Sequence, residues 1–258
     1  MTDKKQKDGH WIGPGAFRPQ HLPVLDFPVP GESEVHLWYL HLGVLAGSLQ
    51  NALAGNEPAR AEVKLSVAQL RFARRFYLRL LLGAYLGVPG KNVTINRSNR
   101  GKPVLDLSVH ESTLQFSMAK SENRLLIGIS ALQHLGVDLE PAWRKAHNAL
   151  GLAERYFSPA EFAALKTVDP ERIDEAFLRA WACNEAVVKA SGLGIANQLH
   201  RFTLQMDPDG PPEVLEIEDD DAAEWSLALL RPSEDFLGAV AVRQPHIDVT
   251  CFQLLPAE

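Results

Sequence analysis

Cysteine is scarce: the 258-residue chain has two, Cys183 and Cys251. Their spacing forms neither a disulfide framework nor a thiolate metal site, and such sparing use fits a reducing cytoplasm. Long apolar runs are missing as well. The most hydrophobic stretch, LRLLLGAYLGV at 78–88, is broken by Arg79 and is too short to span a bilayer, so no membrane association is expected. No apolar run follows the polar start MTDKKQKDGH, and no signal peptide is expected. The nine histidines lack ligand spacing, which leaves them core or surface roles. Excess positive charge is missing too: Lys and Arg total 26 against 32 Asp and Glu, a net charge of −6. That balance argues against a general nucleic-acid binder.

Acid is itself absent from one segment. Between Lys64 and Lys102 stand nine basic residues (Lys64, Arg71, Arg74, Arg75, Arg79, Lys91, Arg97, Arg100 and Lys102) and no Asp or Glu. Two readings fit: a solvated basic helix face with a basic loop, or a surface for a polyanionic partner such as a phosphorylated cofactor or an acidic protein.

What is present points to a folded core. Hydrophobic residues make up 46% of the chain, and its length suits one large domain or two small lobes. Residues 1–32, rich in Pro and Gly, read as an irregular N-terminal arm. VHLWYLHL at 35–42 is β-prone, and 66–86 has a helical apolar stripe of Leu70, Ala73, Phe76, Leu80 and Leu81 ended by Gly87. The runs 102–107, 113–119 and 124–130 resemble a three-stranded antiparallel meander, and 135–140 is a further strand. Ser158-Pro159-Ala160-Glu161 is a capping box with proline at the first helical position. Asp169-Pro170 starts a long helix that Gly192 ends. Strands are expected near 201–206, 214–217, 224–230 and 235–243. Both halves run helix first, sheet after. The predicted class is α+β: a pseudo-twofold pair of similar lobes, 33–132 and 133–258, each a helix packed on a small, mostly antiparallel sheet.

Two patterns carry chemistry. In GVDLE, strand alternation sends Val137 and Leu139 to the core while Asp138 and Glu140 share the other face. On the helix, Trp181, Glu185 and Lys189 stand four apart, amid Phe177, Leu178, Ala182, Val187 and Val188. A helix so apolar is largely buried, and a carboxylate on it needs a partner. Lys189 is one; a divalent cation shared with Asp138 and Glu140 is another. Three hard oxygen donors with open positions suit Mg2+, which completes its shell with water and phosphates and assists phosphoryl or pyrophosphate transfer. Trp181 reads as a packing anchor. Cys183 has no nearby His to make it a nucleophile, and GLG at 192–194 is a helix stop.

GVDLE followed some 40–45 residues later by W-x-x-x-E-x-x-x-K resembles the signature pair of the 4′-phosphopantetheinyl transferases, in particular their two-lobed, monomeric, surfactin-synthetase-activating type. LWYLHL, LSVAQLRFARRF, RGKPVL, LQFSMAKSENRLLIGIS, ERYFSPAEFAAL and FLRAWACNEAVVKASGLGI add to the likeness, from about residue 35 to 243. The resemblance implies a cytoplasmic enzyme of the holo-[acyl-carrier-protein] synthase kind. It would move the phosphopantetheine arm of coenzyme A onto a serine of an acidic acyl or peptidyl carrier protein, releasing adenosine 3′,5′-bisphosphate, as in secondary-metabolite biosynthesis. It implies Asp138, Glu140 and Glu185 as magnesium ligands, Glu185 also as general base, and Lys189 on the pyrophosphate. Arg75, Lys102 and Pro103 would lie by the coenzyme's 3′-phosphate and adenine end, and Leu193 and Ile195 where carriers dock. The chain departs from the family at three points: Asn184 replaces a lysine expected at the coenzyme phosphates; Ala119-Lys120 replaces a phosphate-holding Ser-His, with Lys120 keeping the charge; and the segment between LSVAQ and LLLGAYLG is shorter by several residues, a gap on which the match of Arg75 depends. The alternative is a catalytically impaired relative that binds coenzyme A or a carrier without turnover.

Overall fold

The computed structural model describes residues 11–55, 62–192, 194 and 198–257. Two sheets stack face to face, and each carries a long helix on its outer side. In chain order the elements are β1 (Trp11–Ile12), β2 (Phe17–His21), β3 (Glu34–His41), α1 (Leu42–Leu53), α2 (Val67–Leu86), β4 (Ile95–Arg97), β5 (Pro103–Leu105), β6 (Gln115–Ser121), β7 (Arg124–Ser130) and β8 (Leu135–Pro141). There follow α3 (Ala149–Tyr156), α4 (Pro159–Leu165), α5 (Ile173–Ser191), β9 (Phe202–Leu204), β10 (Val214–Ile217), β11 (Ser226–Ser233), β12 (Phe236–Val242) and β13 (Asp248–Leu255). One sheet has the order β2-β13-β3-β7-β6 and the other β1-β11-β12-β8. The class is α+β, as the sequence predicts.

Alternation along the strands builds three apolar layers. Val35, Leu37 and Tyr39 of β3 and Leu126 of β7 meet Val137 and Leu139 of β8 and Val240 of β12 between the sheets. Trp38 and Leu40 face Leu78, Leu81 and Leu82 of α2. On the far side Val187, Val188 and Ala186 of α5 pack with Leu229, Ala239 and Ala241. Burying each Val or Leu among these stabilises the fold by about 1.5–3 kcal/mol. A one-residue slip of β8 would bury Asp138 between the sheets and turn Leu139 outward, so its register is strongly specified.

Several expectations need correction. The arm at 1–32 is not irregular where it is described: β2 runs parallel to β13, and β1 parallel to β11. β13 itself lies between β2 and β3 in the first sheet. The lobes 33–132 and 133–258 are therefore not self-contained, because each sheet borrows a strand from the opposite end of the chain. The meander fails at its first strand, since β5 pairs with β4 while β6 and β7 form a hairpin. Phe76 is not core; it is 46% exposed, and the buried face of α2 is Tyr77, Leu78, Leu81, Leu82 and Tyr85.

The helix ends follow their local chemistry. Ser66 and Gln69 close a capping box on α2, and Gly87 ends it at φ 63°. Ser158 and Glu161 do the same for α4. Asp169 caps a short 3-10 turn that leads into α5, and Asp174 and Glu175 complement the positive end of the helix dipole. Gly192 stops α5 in the left-handed region at φ 68°, a conformation that only glycine adopts at no cost.

Candidate active site

The site forms where two sheet edges meet. β8 is the outer strand of its sheet and β6 the outer strand of the other, so β8 carries backbone groups with no ladder partner. Side chains satisfy two of them: Ser117 Oγ accepts from the Val137 amide at 3.2 Å, and Lys102 Nζ donates to the Leu135 carbonyl at 2.8 Å. The same ammonium donates to the Lys189 carbonyl at 2.9 Å, and Arg100 donates to the Gly192 carbonyl at 3.2 Å. Two members of the acid-free segment thus cap the negative end of α5. Arg74, Arg79 and Arg97 likewise donate to the carbonyls of Glu122, Val93 and Gly101. Much of the basic segment is structural tethering.

Gly136 lets helix and strand touch. A Cβ there would lie 1.9 Å from the Ala186 carbonyl oxygen and 2.5 Å from the Ala190 amide. This contact puts the outer face of β8 directly under α5. Lys189 Nζ reaches Asp138 Oδ1 at 2.5 Å and Glu185 Oε2 at 3.5 Å, and Arg144 holds Glu140 at 2.7 Å. Asp138 is 5% exposed, and its Oδ2 is buried with no hydrogen-bond partner.

The electrostatics follow from burial. Desolvation, reinforced by Asp138, raises the pKa of Glu140 and of Glu185. Asp138 is raised by desolvation although Lys189 opposes it. Burial works against the charge on Lys189, yet Asp138 and Glu185 hold its pKa above the ordinary lysine value. Burial and the neighbouring Lys189 push Lys102 down to about 8. Three carboxyls, Asp138 buried and Glu140 and Glu185 half-buried, share two cations, Lys189 and Arg144, and the orphaned Asp138 oxygen marks where positive charge is wanting. The hard oxygen donor set fits a small divalent cation. Among the described residues, however, no three His, Cys, Asp or Glu side chains are gathered tightly enough to hold an ion as they stand. Lys189 sits on the Asp138–Glu185 pair and Arg144 on Glu140.

Beside the cluster opens a cavity of about 260 Å³, lined by the 100–103 turn with Lys102 and Pro103, by Phe116–Met118 of β6 and by Lys189, Gly192 and Gly194. Of the residues implied for the coenzyme, Lys102, Pro103 and Lys189 meet here. Lys120 is exposed near the end of β6 and is not among the lining residues. Arg75 is not here either: it lines a separate groove on α2. Asn184 faces away from the cluster. Fully buried, it donates to Glu161 Oε1 at 2.9 Å, and a side chain so enclosed cannot reach phosphates in the cleft. Leu193 and Ile195 lie outside the described residues. Trp181 packs on Phe157, Phe177 and Tyr156, as expected of an anchor.

Reading the sequence missed Arg144, Ser117 and the second role of Glu161. That carboxyl closes the α4 capping box and also accepts from the Leu204 amide and from Asn184, so it links α4, α5 and β9. Burial pushes its pKa up to about 7. A raised carboxyl pKa contributes stability below its unfolded value, which is lost as pH rises through the folded value. We expect the unfolding free energy to fall between about pH 4.5 and 7, and the slope to be smaller in Glu161→Gln; urea titrations of both proteins across that range measure it.

Burial also pushes Cys183 and Cys251 up to about 12, where the reactive thiolate is scarce. Iodoacetamide at pH 8 is expected to spare both cysteines in the native protein and to label both in urea. Intact-mass measurement counts the adducts, and labelling of native Cys183 would mean that α5 opens from β8.

Fold and site together define an α+β protein with an acid–lysine cluster between the outer face of an edge strand and a long helix. Residues 134–241, which contain the cluster, match the model of the 4′-phosphopantetheinyl transferase superfamily. The chain is 36% identical to the 4′-phosphopantetheinyl transferase HetI of Nostoc sp. over 230 residues, covering 87% of this chain and 92% of that protein. It is 23% identical to the human L-aminoadipate-semialdehyde dehydrogenase-phosphopantetheinyl transferase over 254 residues, 88% of this chain and 82% of the relative. With the 4′-phosphopantetheinyl transferase of Bacillus subtilis it shares 22% over 219 residues, 76% of this chain and 94% of the relative. The chain belongs to the 4′-phosphopantetheinyl transferase superfamily.

Proposed function

We propose that the protein transfers the 4′-phosphopantetheine group of coenzyme A to a serine hydroxyl of an acyl or peptidyl carrier protein, with magnesium, releasing adenosine 3′,5′-bisphosphate. The observation that carries this reading is the cluster of Asp138, Glu140, Glu185 and Lys189 with its unpartnered Asp138 oxygen, inside the segment that matches the family. Asp138, Glu140 and Glu185 would hold Mg2+, which when bound neutralises charge on the diphosphate.

The rest is the work of this chain's own residues. The carrier's serine oxygen is neutral and poorly nucleophilic, so a base must take its proton as the new oxygen–phosphorus bond forms. Glu185 would take it, and its pKa, raised by desolvation and by Asp138, favours accepting a proton. The bridging oxygen–phosphorus bond of the diphosphate breaks, and its electron pair leaves with the nucleoside bisphosphate. Lys189, held charged by its two acidic neighbours, stabilises that developing charge. The cavity beside Lys102 and Pro103 takes one end of the coenzyme; at about 260 Å³ it is smaller than most whole-ligand sites, which run roughly 300–1,000 Å³.

The two sheet-and-helix layers are read as similar lobes related by a pseudo-twofold axis, and the working form as a cytoplasmic monomer. Among the described residues no helix is long and apolar enough to cross a membrane. The test is incubation with coenzyme A, Mg2+ and a panel of apo-carrier proteins, followed by weighing each carrier. A gain of one phosphopantetheine group on serine supports the reading. No gain on any carrier, with coenzyme A binding retained, favours a relative that binds without turnover.

A further inference from the structure

Exposed apolar side chains gather at a concave surface other than the cleft beside the acid–lysine cluster. It is a groove of about 920 Å³ along α2, between that helix, the Pro23–Asp26 segment and the Gly87–Lys91 turn. Leu25, Phe72 and Phe76 line it while 73%, 71% and 46% exposed, and the Phe72 and Phe76 rings stack at 6.1 Å. Large apolar side chains gathered at one concave surface mark interaction sites.

Its rim has one sign of charge. Arg71, Arg75, Arg79 and Lys91 face a single acid, Asp26. Arg79 is engaged with the Val93 carbonyl. Arg71, Arg75 and Lys91 carry no ion pair or hydrogen bond with any described residue. The opposite flank of α2 carries Arg74, which is tied to the β6–β7 turn. The groove therefore lies on the side away from the cleft: Pro23–Asp26 follows β2, the strand at the other end of the sheet from β6. Four strand spacings of about 4.8 Å put roughly 19 Å between those edges.

We propose that this groove docks an acidic amphipathic helix of a partner protein, apolar face on Phe72, Phe76 and Leu25, glutamates or aspartates against Arg71, Arg75 and Lys91. Length favours a helix. From Ala68 to Ala84 the lining runs along about 24 Å of α2, some four helical turns, and an apolar stripe laid in a groove is a recurrent mode of peptide recognition. A concavity fits a rod better than a flat bilayer face. The exposed acidic run at Glu218, Asp219 and Asp221 is not helical, and Glu218 and Asp219 already pair with Arg201, so that run of a second copy does not match the groove. Docking here leaves the cleft open, so it tethers a partner without competing with the carrier serine.

The probe is a fluorescein-labelled 16-residue helical peptide, leucine along one face and glutamate on its flanks, titrated with the full chain and followed by anisotropy. Saturable binding is expected to weaken with salt, and about tenfold in Arg71→Glu and in Phe72→Ser, two exposed positions where refolding is not at issue. The same peptide with lysine flanks, or with a central proline, should bind at least tenfold more weakly. Equal binding of either control, or affinity unchanged in both variants, overturns the proposal. So does flotation with phosphatidylglycerol vesicles, or self-association in sedimentation, that the two variants abolish while the peptide does not bind.

Discussion

Glu185→Gln is expected to reduce transfer to a carrier by about a thousandfold while leaving the fold intact. Removing a positioned base costs roughly 10²–10⁴ in rate, and this residue is also a proposed ligand of the cation. The structural cost should be small. Glu185 is held raised by desolvation and by Asp138, so neutralising it relieves a repulsion even as its 3.5 Å contact with Lys189 is lost. We expect stability to change by less than about 1 kcal/mol, the size of a weak ion pair. Two measurements separate the roles. Single-turnover rates as a function of pH should rise in the wild type as Glu185 ionises and go flat in the variant. Magnesium should raise the melting temperature of the wild type, since a ligand that binds only the folded state stabilises it, and should raise it less in the variant. Turnover within tenfold of wild type would falsify the role assigned to Glu185; a lost rate with an unchanged magnesium response would leave it a base and remove it from the ligand set.

The same electrostatics explain why so much of the site was legible beforehand. Asp138 and Glu140 on one face of β8, with Val137 and Leu139 on the other, follow from a period of two, and the structure keeps that register. Glu185 and Lys189 sharing a helix face follow from a spacing of four. Glu161 was visible only as a capping residue, because its second partner, Asn184, is 23 positions away in sequence. Asn184 itself could have been placed better. It lies about 100° round the helix from Glu185, on the line of Ala180 and Val187–Val188, which is the buried side. Arg75 could not have been placed, since which flank of α2 borders the cleft depends on β2 and β13. Those strands pair residues more than 200 positions apart, and no local pattern announces such a pairing. The acid-free segment was ambiguous for a related reason: a cation that caps a distant carbonyl and one that awaits a ligand look alike until the chain is folded.

Gly136→Ala should be the most destructive small change in the molecule. The added methyl would sit 1.9 Å from one backbone oxygen of α5 and 2.5 Å from one of its backbone nitrogens, and neither is the free end of a side chain that can swing aside. Helix and strand must separate. Overpacking of this kind costs typically about 1–3 kcal/mol, and backbone on both sides puts this position at the upper end. The displacement also acts on chemistry. Lys189 lies one position before Ala190 and reaches Asp138 at 2.5 Å; moving α5 outward lengthens that contact and loosens Lys102, which bridges the Leu135 and Lys189 carbonyls. We therefore expect a loss of at least 2 kcal/mol in urea unfolding, by the same overpacking argument, together with a fall in kcat that exceeds any change in the KM for coenzyme A. Gly87, which ends α2 and does not line the cleft cavity, meets nothing within 4 Å but adopts φ 63°, so Gly87→Ala tests backbone strain alone and should cost about 1–2 kcal/mol without the kcat effect. If Gly136→Ala folded as stably as the wild type, the close seam between β8 and α5 would be wrong, and with it the geometry that brings the lysine to its carboxylates.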